Sequence, residues 1–383
     1  MVEFNRAGRS APSSKLGMVD SIEITNFRGF EDFKATGFAP INLIVGDNAV
    51  GKTALLEAIF LAMSGNADKG LAMKQWRGMP VSFQAGSSES VVEAIYADLF
   101  HDPDSPAPIT IKITGRGFEN RQVVVAKTKG HLIVPTTDIG NRSSRRAQAK
   151  KKRLQTAELD QATIAPIALT WTDENGTEHV SSVRVSPTAI GFDGTGETIP
   201  GSSMFAAHLA VPPNEAAEQY SALRKRRETE PFRRVFMSVF EDITDLSVET
   251  VANSPAILAD VPWAKQLLPL AALSGGTNRA ASILLAITLR RDGMVLVDEA
   301  ESGIYHARQS KFAEAIVELS REYKTQVIMT THSDEWIRNC LSVFGKNEDV
   351  AFWRMERGID RQPRISRFTA AEFSMGLRLG EMR

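Results

Sequence analysis

The sequence has little cysteine and almost no net charge. Cys340 is the single cysteine among 383 residues, which excludes a disulfide framework and a cysteine-based metal site and fits a reducing cytosol. The 45 basic residues nearly balance the 46 acidic residues, so the net charge of the chain does not indicate a nucleic-acid partner. We therefore expect a cytoplasmic protein whose partners are not selected by net charge.

Long apolar runs and long heptad patterns are also missing. No apolar run approaches the ~20 residues that a membrane span needs, so we expect no membrane partner. No heptad pattern continues for three or four repeats, so we expect no long coiled coil. The polar start of the chain lacks the apolar core of an export signal. We expect a disordered leader over 1–18, followed by a single domain over 19–383.

What the sequence does contain is a complete phosphate-binding loop. Residues 46–53 read Gly-Asp-Asn-Ala-Val-Gly-Lys-Thr, which is the G-x-x-x-x-G-K-[ST] pattern of nucleoside-triphosphate sites. The apolar run 41–45 predicts a strand before the loop, and the helical spacing of 54–60 predicts a helix after it. This order of strand, loop and helix indicates nucleotide binding rather than a chance match.

Each residue of the loop has an expected role. Gly46 and Gly51 let backbone N–H groups curl around phosphates without side-chain clashes, and we assign Asn48 to the same nucleotide-binding set. Lys52 should reach the β- and γ-phosphates, and the Thr53 hydroxyl should ligate Mg²⁺. The expected cofactors are therefore ATP and Mg²⁺.

Two later strands are predicted to end beside this loop. The first ends in Asp298 and Glu299, which suits Asp298 to hold Mg²⁺ through water and Glu299 to polarise the attacking water as a general base. The alternative is an ordinary strand that ends in a solvated acidic turn. The second strand ends before His332, which lies 34 residues after Asp298. We assign His332 to the γ-phosphate rather than to a structural role.

Between these segments lies the tetrapeptide Leu-Ser-Gly-Gly at 273–276. It resembles the signature loop of ATP-binding cassettes, in which ATP is sandwiched between two copies of the domain. We expect Ser274, Gly275 and Gly276 on the opposite edge of the head from the phosphate-binding loop, where a two-fold-related copy could use them. The alternative is a Gly-Gly turn before a helix. A homodimer is therefore expected, and a higher oligomer is left open.

The order of these motifs resembles the ABC-type ATPase heads of the SMC/RecF class, and within it the AAA-15/AAA-21 branch that includes the overcoming-lysogenization-defect (OLD) proteins. Residues 24–30 resemble the first strand of that class, whose basic residue, here Arg28, lies near the nucleotide. Residues 297–304 resemble the acidic strand end of the branch, and 330–333 its histidine loop. Tyr305 stands where transporter cassettes carry an aspartate, which favours the OLD-like branch.

Two parts of the resemblance are incomplete. Thr277 replaces the glutamine that commonly follows the signature tetrapeptide. The glutamine of the Q-loop could be Gln75 or Gln84, and the sequence does not choose between them.

The resemblance implies an α/β fold, namely a P-loop NTPase head of ABC type with a central, mainly parallel sheet, an antiparallel β subdomain and a helical insertion. Short β runs at 109–113 and 123–126, and alternation around an Asn-Gly turn at 175–176, fit the antiparallel subdomain. The pattern is helical from about 212 to 245. We divide the domain into a first lobe (19–85), the β subdomain with the insertion (86–260) and a second lobe (261–383).

Two basic clusters could bind the phosphate backbone of DNA or RNA. The first cluster contains Arg142, Arg145, Arg146, Lys150, Lys151, Lys152 and Arg153. The second contains Arg224, Lys225, Arg226, Arg227, Arg233 and Arg234. The alternatives are a mobile solvated loop for the first and a solvated helix face for the second. No aromatic residues are interleaved to stack bases, which weakens the case for nucleic acid.

The functional hypotheses follow from the class. OLD proteins carry a TOPRIM nuclease domain after the head, whereas 51 residues follow His332 here, and Asp334, Glu335 and Asp349 form no convincing metal cluster. We therefore expect any nuclease to be a separate chain. By family analogy, the leading hypothesis is an ATPase that controls an effector such as a nuclease or toxin in anti-phage defence. The alternative is a RecF-like repair ATPase with salt-sensitive DNA binding, and a transporter cassette fits less well.

Overall fold

A computed structural model describes residues 17–79, 93–116, 118–128, 163–172, 176–185, 190–194, 202–207 and 211–379. Most of the predicted leader, the first basic cluster and Gln84 lie outside these residues. The strands are β1 (Met18–Phe27), β2 (Phe30–Thr36), β3 (Ile41–Val45), β4 (Ile109–Arg116), β5 (Phe118–Lys127), β6 (Thr163–Thr172), β7 (Glu178–Val185), β8 (Ile190–Gly194), β9 (Ser202–Phe205), β10 (Asp245–Val251), β11 (Ser254–Asp260), β12 (Leu268–Pro269), β13 (Met294–Val297), β14 (Gln326–Thr330), β15 (Val350–Arg357) and β16 (Pro363–Phe368). The α-helices are α1 (Lys52–Ser64), α2 (Asp68–Trp76), α3 (Pro213–Arg226), α4 (Thr229–Val239), α5 (Leu270–Leu273), α6 (Gly275–Leu289), α7 (Gln309–Tyr323), α8 (Asp334–Phe344) and α9 (Ala370–Leu379).

A six-stranded sheet carries the phosphate-binding loop. Its strand order is β16-β15-β3-β14-β13-β9, and every neighbouring pair is parallel except β15 with β16. The strands β3, β13 and β14 are buried on both faces, as expected for a parallel sheet covered on both sides. The predicted strand over 41–45 and the mainly parallel central sheet are confirmed. Because parallel strands end at one edge, the loops after β3, β13 and β14 meet there.

A seven-stranded sheet forms the antiparallel subdomain. Its order is β2-β1-β4-β5-β6-β7-β8, and each neighbouring pair is antiparallel. Helix α1 lies between this sheet and the parallel sheet, with almost every residue buried, and such a helix is apolar all round because it has no solvent face. The predicted division of the sequence at 85 and 260 remains a prediction. The sheets do not follow it, because β1 of the first range belongs to the antiparallel sheet and β9 of the second range belongs to the parallel sheet.

The helical insertion is shorter than its sequence pattern predicts. Helices α3 and α4 pack against α6 and α7 in one apolar core, but the helical pattern stops before residue 245. There β10 begins and pairs with β11. The turn between them places Ala252 and Asn253 at φ of 48° and 64°, and two positive φ values are the mark of the tight turns that join hairpin strands. The last helix of the insertion ends at Val239, and a short turn leads from it into β10.

In the described part of the chain, no α-helix is both long enough and apolar enough to cross a lipid bilayer.

Candidate functional site

The phosphate-binding loop joins β3 to the first turn of α1. Gly46 has a φ of +148°, and a Cβ atom there would lie 2.2 Å from the carbonyl oxygen of Met355. A side chain is therefore excluded at this position. Gly51 caps α1 with a φ of 112°, a value that glycine adopts at little cost. The free N–H groups and the positive dipole end of α1 then point at the loop, which makes it an anion-binding site.

Lys52 is folded onto the same loop. Its Nζ donates to the carbonyl oxygens of Gly46 at 2.6 Å and Asp47 at 2.7 Å. Burial lowers the pKa of Lys52, and the nearby carboxylates of Asp298 and Asp47 oppose that shift. Neutral carbonyls are weaker partners for an ammonium group than phosphate oxygens. The lysine is thus held beside the cradle with acceptors that a phosphate group can replace.

Thr53 and Asp298 meet at the carboxyl edge of the parallel sheet. The Thr53 hydroxyl lies 2.9 Å from Oδ2 and 3.1 Å from Oδ1 of Asp298. The Thr330 hydroxyl, at the end of β14, donates to Oδ1 of the same carboxylate at 2.7 Å. A hydroxyl and a carboxylate in contact form a set of hard oxygen donors of the kind that Mg²⁺ prefers. The structure thus brings together the two residues that the sequence assigns to the metal.

Glu299 and His332 lie next to this pair. Glu299 has a positive φ of 49°, and its N–H donates to the Thr330 hydroxyl at 3.0 Å. A non-glycine residue held in this region stores strain, which is common at functional sites. The Glu299 Oε1 atom lies 3.6 Å from Nδ1 of His332. Glu301, which the sequence interpretation did not assign, lies at the same distance from this nitrogen.

A cluster of charged residues lies beside the cleft, which its members Arg28, Arg77 and Asp98 line. Glu57 on α1 is fully buried and accepts hydrogen bonds from Nε and Nη2 of Arg77, both at 2.9 Å. The Nε atom of Arg28 lies 2.7 Å from Glu57, and Asp98 pairs with both Arg28 at 3.1 Å and Lys74 at 2.7 Å. Burial lowers the pKa of Arg28, with Glu57 opposing the shift. Burial acts in the same direction on Arg77, but its bonds to Glu57 raise its pKa overall.

Four members of this cluster were not predicted from the sequence, namely Glu57, Lys74, Arg77 and Asp98. Glu57 had a detectable signal, because it is the one charged residue in the apolar stretch 54–64, and a buried carboxylate needs a partner. Arg77 follows α2 in no recognisable motif, and a fold is required to place it.

Most of the predicted site residues line a single cleft of about 500 Å³. The cleft is lined by Arg28, Gly29, Asn48, Ala49, Gly51, Lys52, Thr53, Ala54, Arg77, Asp98, Phe100, Asp298, Glu299, His332 and Arg357. Gly46 lines an adjoining cavity of about 250 Å³, whose lining shares Asn48 and His332 with the cleft. Neither the signature residues nor Gln75 belongs to these linings. Gln75 is an exposed residue of α2, so the Q-loop glutamine stays unassigned.

The signature loop lies at the start of α6. Ser274 caps this helix, since its hydroxyl accepts the N–H of Thr277 at 2.9 Å. Further along α6, the buried Arg279 donates to the carbonyl oxygens of Ala206 at 2.7 Å and Asp298 at 2.8 Å. The helix that carries the signature is thus tied to the strand end that carries Asp298, although Ser274 itself is not in the cleft.

The second basic cluster is partly neutralised. Arg233 pairs with Asp245 and also donates to the carbonyl oxygen of Leu246 at 3.2 Å. Arg234 pairs with Glu318 on α7. These contacts favour the solvated helix face over a nucleic-acid surface for this cluster.

Solved structures and known sequences agree with this architecture. The chain resembles the SMC head in a crystal structure of that head bound to the C-terminal winged-helix domain of ScpA, with a TM-score of 0.51 and 13% identity over 94% of this chain and 99% of the other. At that identity the likeness shows the fold. The chain is also 21% identical over 345 residues to a Helicobacter pylori protein named ATP/GTP phosphatase, covering 84% of this chain and 86% of that protein.

A shorter match is to the DNA replication and repair protein RecF of Hydrogenovibrio crunogenus. The two are 32% identical over 118 residues, which cover 30% of this chain and 31% of the RecF chain. Fold, site and relatives together define an ABC-type ATPase head of the SMC/RecF class. Residues 41–338 match the model of the family described as "AAA domain, putative AbiEii toxin, Type IV TA system". This match spans most of the chain, so the chain belongs to that family.

Proposed function

We propose that this chain is a cytosolic, Mg²⁺-dependent ATPase that dimerises around ATP and uses binding and hydrolysis to control a separate effector, such as a nuclease or toxin, in bacterial anti-phage defence. The observation that carries the enzymatic part is the contact of Thr53 with Asp298. These residues are 245 positions apart in sequence, yet they bond to each other in the cleft that also contains Lys52.

ATP with Mg²⁺ fits the residues present. The glycine cradle at Gly46 has no room for a side chain, and Thr53 with Asp298 supplies hard oxygen donors for the metal. When bound, Mg²⁺ neutralises charge on the phosphates. Lys52 would hold the β- and γ-phosphates, and Arg28 would contact the nucleotide.

The hydrolytic roles fall to the two residues beside the metal ligands. Glu299 would take the proton of the attacking water as a general base. His332 would contact the γ-phosphate from the loop after β14. Both side chains line the cleft, at strand ends that the parallel sheet brings to one edge.

The position of the signature loop supports the proposed dimer. Ser274, Gly275 and Gly276 are not part of the cleft lining, so the loop needs another copy if it is to touch ATP. A two-fold-related head would present its signature loop to the cleft of the first head and close two sites in one interface. The SMC head of similar fold is bound to a domain of ScpA, which supports a protein partner for a head of this shape.

The family description, "AAA domain, putative AbiEii toxin, Type IV TA system", supports a toxin–antitoxin context for the proposal. That the toxic activity lies in a separate chain is the proposal's own division, made by analogy with the class. We expect the purified chain alone to leave plasmid DNA and RNA intact in ATP and Mg²⁺, because the toxic activity would belong to another protein. Agarose-gel analysis of both substrates checks this. Cleavage that survives purification and disappears in an acidic-residue variant of this chain would contradict the division of labour.

The enzymatic part is tested by phosphate release from the purified protein. The parent should hydrolyse ATP slowly and stop when EDTA removes Mg²⁺. Lys52→Ala should lose nucleotide binding, whereas Glu299→Gln should bind ATP as the parent does and turn it over at least about a hundredfold more slowly. Lys34→Ala is the matched control, since this lysine is 63% exposed and pairs with Glu23 outside the cleft. Equal turnover in Glu299→Gln and the parent would contradict the role of Glu299.

A second candidate is a RecF-like repair ATPase, which the RecF match over 118 residues favours. This function predicts ATP-dependent DNA binding that weakens steeply with salt. Fluorescence anisotropy with a labelled duplex at two salt concentrations separates the candidates. Tight, salt-sensitive binding that depends on ATP would favour repair over effector control.

A further inference from the structure

Glu301 lies in the turn after β13, behind the cleft. Its side chain is 12% exposed, so its charge is largely withdrawn from water. Its Oε1 atom accepts the backbone N–H of His332 at 3.3 Å and lies 3.6 Å from Nδ1 of the same residue. Glu299 contacts the imidazole ring alone in this geometry, whereas Glu301 contacts both the ring and the peptide. Glu301 therefore restrains the loop and the ring of His332 together.

The same turn touches the signature loop. A Cβ atom on Gly276 would lie 1.7 Å from the carbonyl oxygen of Gly303, so the two backbones are in direct contact with no side chain between them. Gly303 follows Glu301 by two residues and has a φ of +77°. A displacement of the signature loop would consequently move the turn that holds His332.

The Glu301 carboxylate also acts on two cations of the site through its charge. Burial lowers the pKa of Lys52 and of Arg279, and the charge of Glu301 is one of those that oppose this shift. A carboxylate that is this buried costs free energy unless it is paired. Glu301 contacts the histidine loop. It also lies in the segment that connects Asp298 with Gly303, which touches the signature loop.

We propose that Glu301 is a positioning residue for His332, holding the peptide and the ring at the edge of the nucleotide cleft. This inference rests on the proposed function, in which His332 contacts the γ-phosphate. Glu301 acts through an acceptor oxygen and takes no proton from water. A glutamine keeps an acceptor oxygen at that position, so Glu301→Gln should retain most of the activity that Glu301→Ala loses. At position 299 the general base must accept a proton, so Glu299→Gln and Glu299→Ala should be equally slow.

A double-mutant cycle tests the dependence on His332. Glu301→Ala should lower kcat by up to about a hundredfold, the scale expected for a misplaced catalytic contact, while ATP binding stays close to that of the parent. In the His332→Ala background, Glu301→Ala should slow the reaction no further. Losses that multiply in the double variant would overturn the proposal. Glu335→Ala is the matched control, because Glu335 lies 4.0 Å from His306 on the surface and should leave kcat unchanged.

A second measurement does not depend on turnover. With ¹⁵N-histidine labelling, the protein has six histidine signals to resolve, and His332→Ala identifies the one of interest. Glu301→Ala should shift the peptide N–H signal of His332, and Glu335→Ala should not.

If the parent hydrolyses no ATP, the proposed function is wrong. The His332 signal still shows whether Glu301 contacts the peptide of His332. An unchanged signal in Glu301→Ala overturns the inference. If Glu301→Ala does not fold, Glu301→Gln decides: a loss equal to that of Glu299→Gln overturns it, and a retained rate supports it.

Discussion

The nucleotide cleft and the signature loop are expected to serve one reaction, but they are built differently. In the cleft the predicted ligands touch one another within one chain, as Thr53 and Asp298 do at 2.9 Å. At the signature loop, Ser274 bonds Thr277 of its own helix, and the residues that would touch ATP are not among the described residues that line the cleft with Lys52. The residues of the cleft are held by contacts within one chain. In the proposed dimer the signature loop is a half-site, and a second copy would supply its complement.

The largest expected effect concerns the completeness of the cleft. Glu57 is fully buried and pairs with both Arg28 and Arg77, so Glu57→Ala would leave two guanidinium groups without their shared carboxylate. Removing one partner of a buried ion pair costs about 3–5 kcal/mol of the free energy of unfolding. Urea denaturation of parent and variant measures this loss. Glu23→Ala, which breaks an exposed pair with Lys34, should change stability little.

A loss below about 1 kcal/mol in Glu57→Ala, as for an exposed ion pair, would break the comparison. The arginines of the cleft would then be as weakly held as surface side chains, and the cleft would need ligand to become ordered.

Local motifs of the cleft could be predicted from the sequence, whereas residues placed by packing could not. The phosphate-binding loop is local: eight consecutive residues specify it, and their strand and helix follow from periodicity. The alignment of Asp298 with Thr53 follows from the rule that parallel strands end at one edge. Arg77 could not be found this way, since its position depends on the packing of α2 against α1. The strand β9 was also missed, because its Ser-Ser-Met-Phe sequence becomes a strand through pairing with β13.

The helical insertion was predicted in type, and only its end differs. The sequence pattern is helical from about 212 to 245, whereas the structure has α3 and α4 and ends the second of these helices at Val239. Periodicity predicts the type of an element better than the residue at which it ends, since the end depends on local capping and packing.

Mixing two inactive variants shows whether a second copy completes the signature half-site. Lys52→Ala and Ser274→Arg should each be inactive alone. Mixed in equal amounts, half of the dimers contain one of each, and each of these has one intact composite site. The mixture should therefore recover about a quarter of the parental phosphate release, as an isologous interface requires.

The control for this experiment is subunit exchange, which is monitored by energy transfer between labelled copies. Exchange without any recovered activity would mean that each site is assembled within a single chain. The contrast between the cleft and the signature loop would then have to be explained by movement inside one head.

The smallest expected effect separates the two roles of Ser274. As the cap of α6, Ser274 satisfies the N–H of Thr277, and Ser274→Ala should cost about 1 kcal/mol of stability. Thr369 is a matched cap, because its hydroxyl accepts the N–H of Glu372 at 3.3 Å at the start of α9, away from the cleft lining. Thr369→Ala should lose a similar amount, measured by urea denaturation. If Ser274 also binds phosphate across the dimer, Ser274→Ala alone should slow ATP hydrolysis while Thr369→Ala leaves it unchanged. Parallel behaviour of the two variants in both assays would reduce Ser274 to a helix cap, and the signature loop would then be the Gly-Gly turn that its sequence also allows.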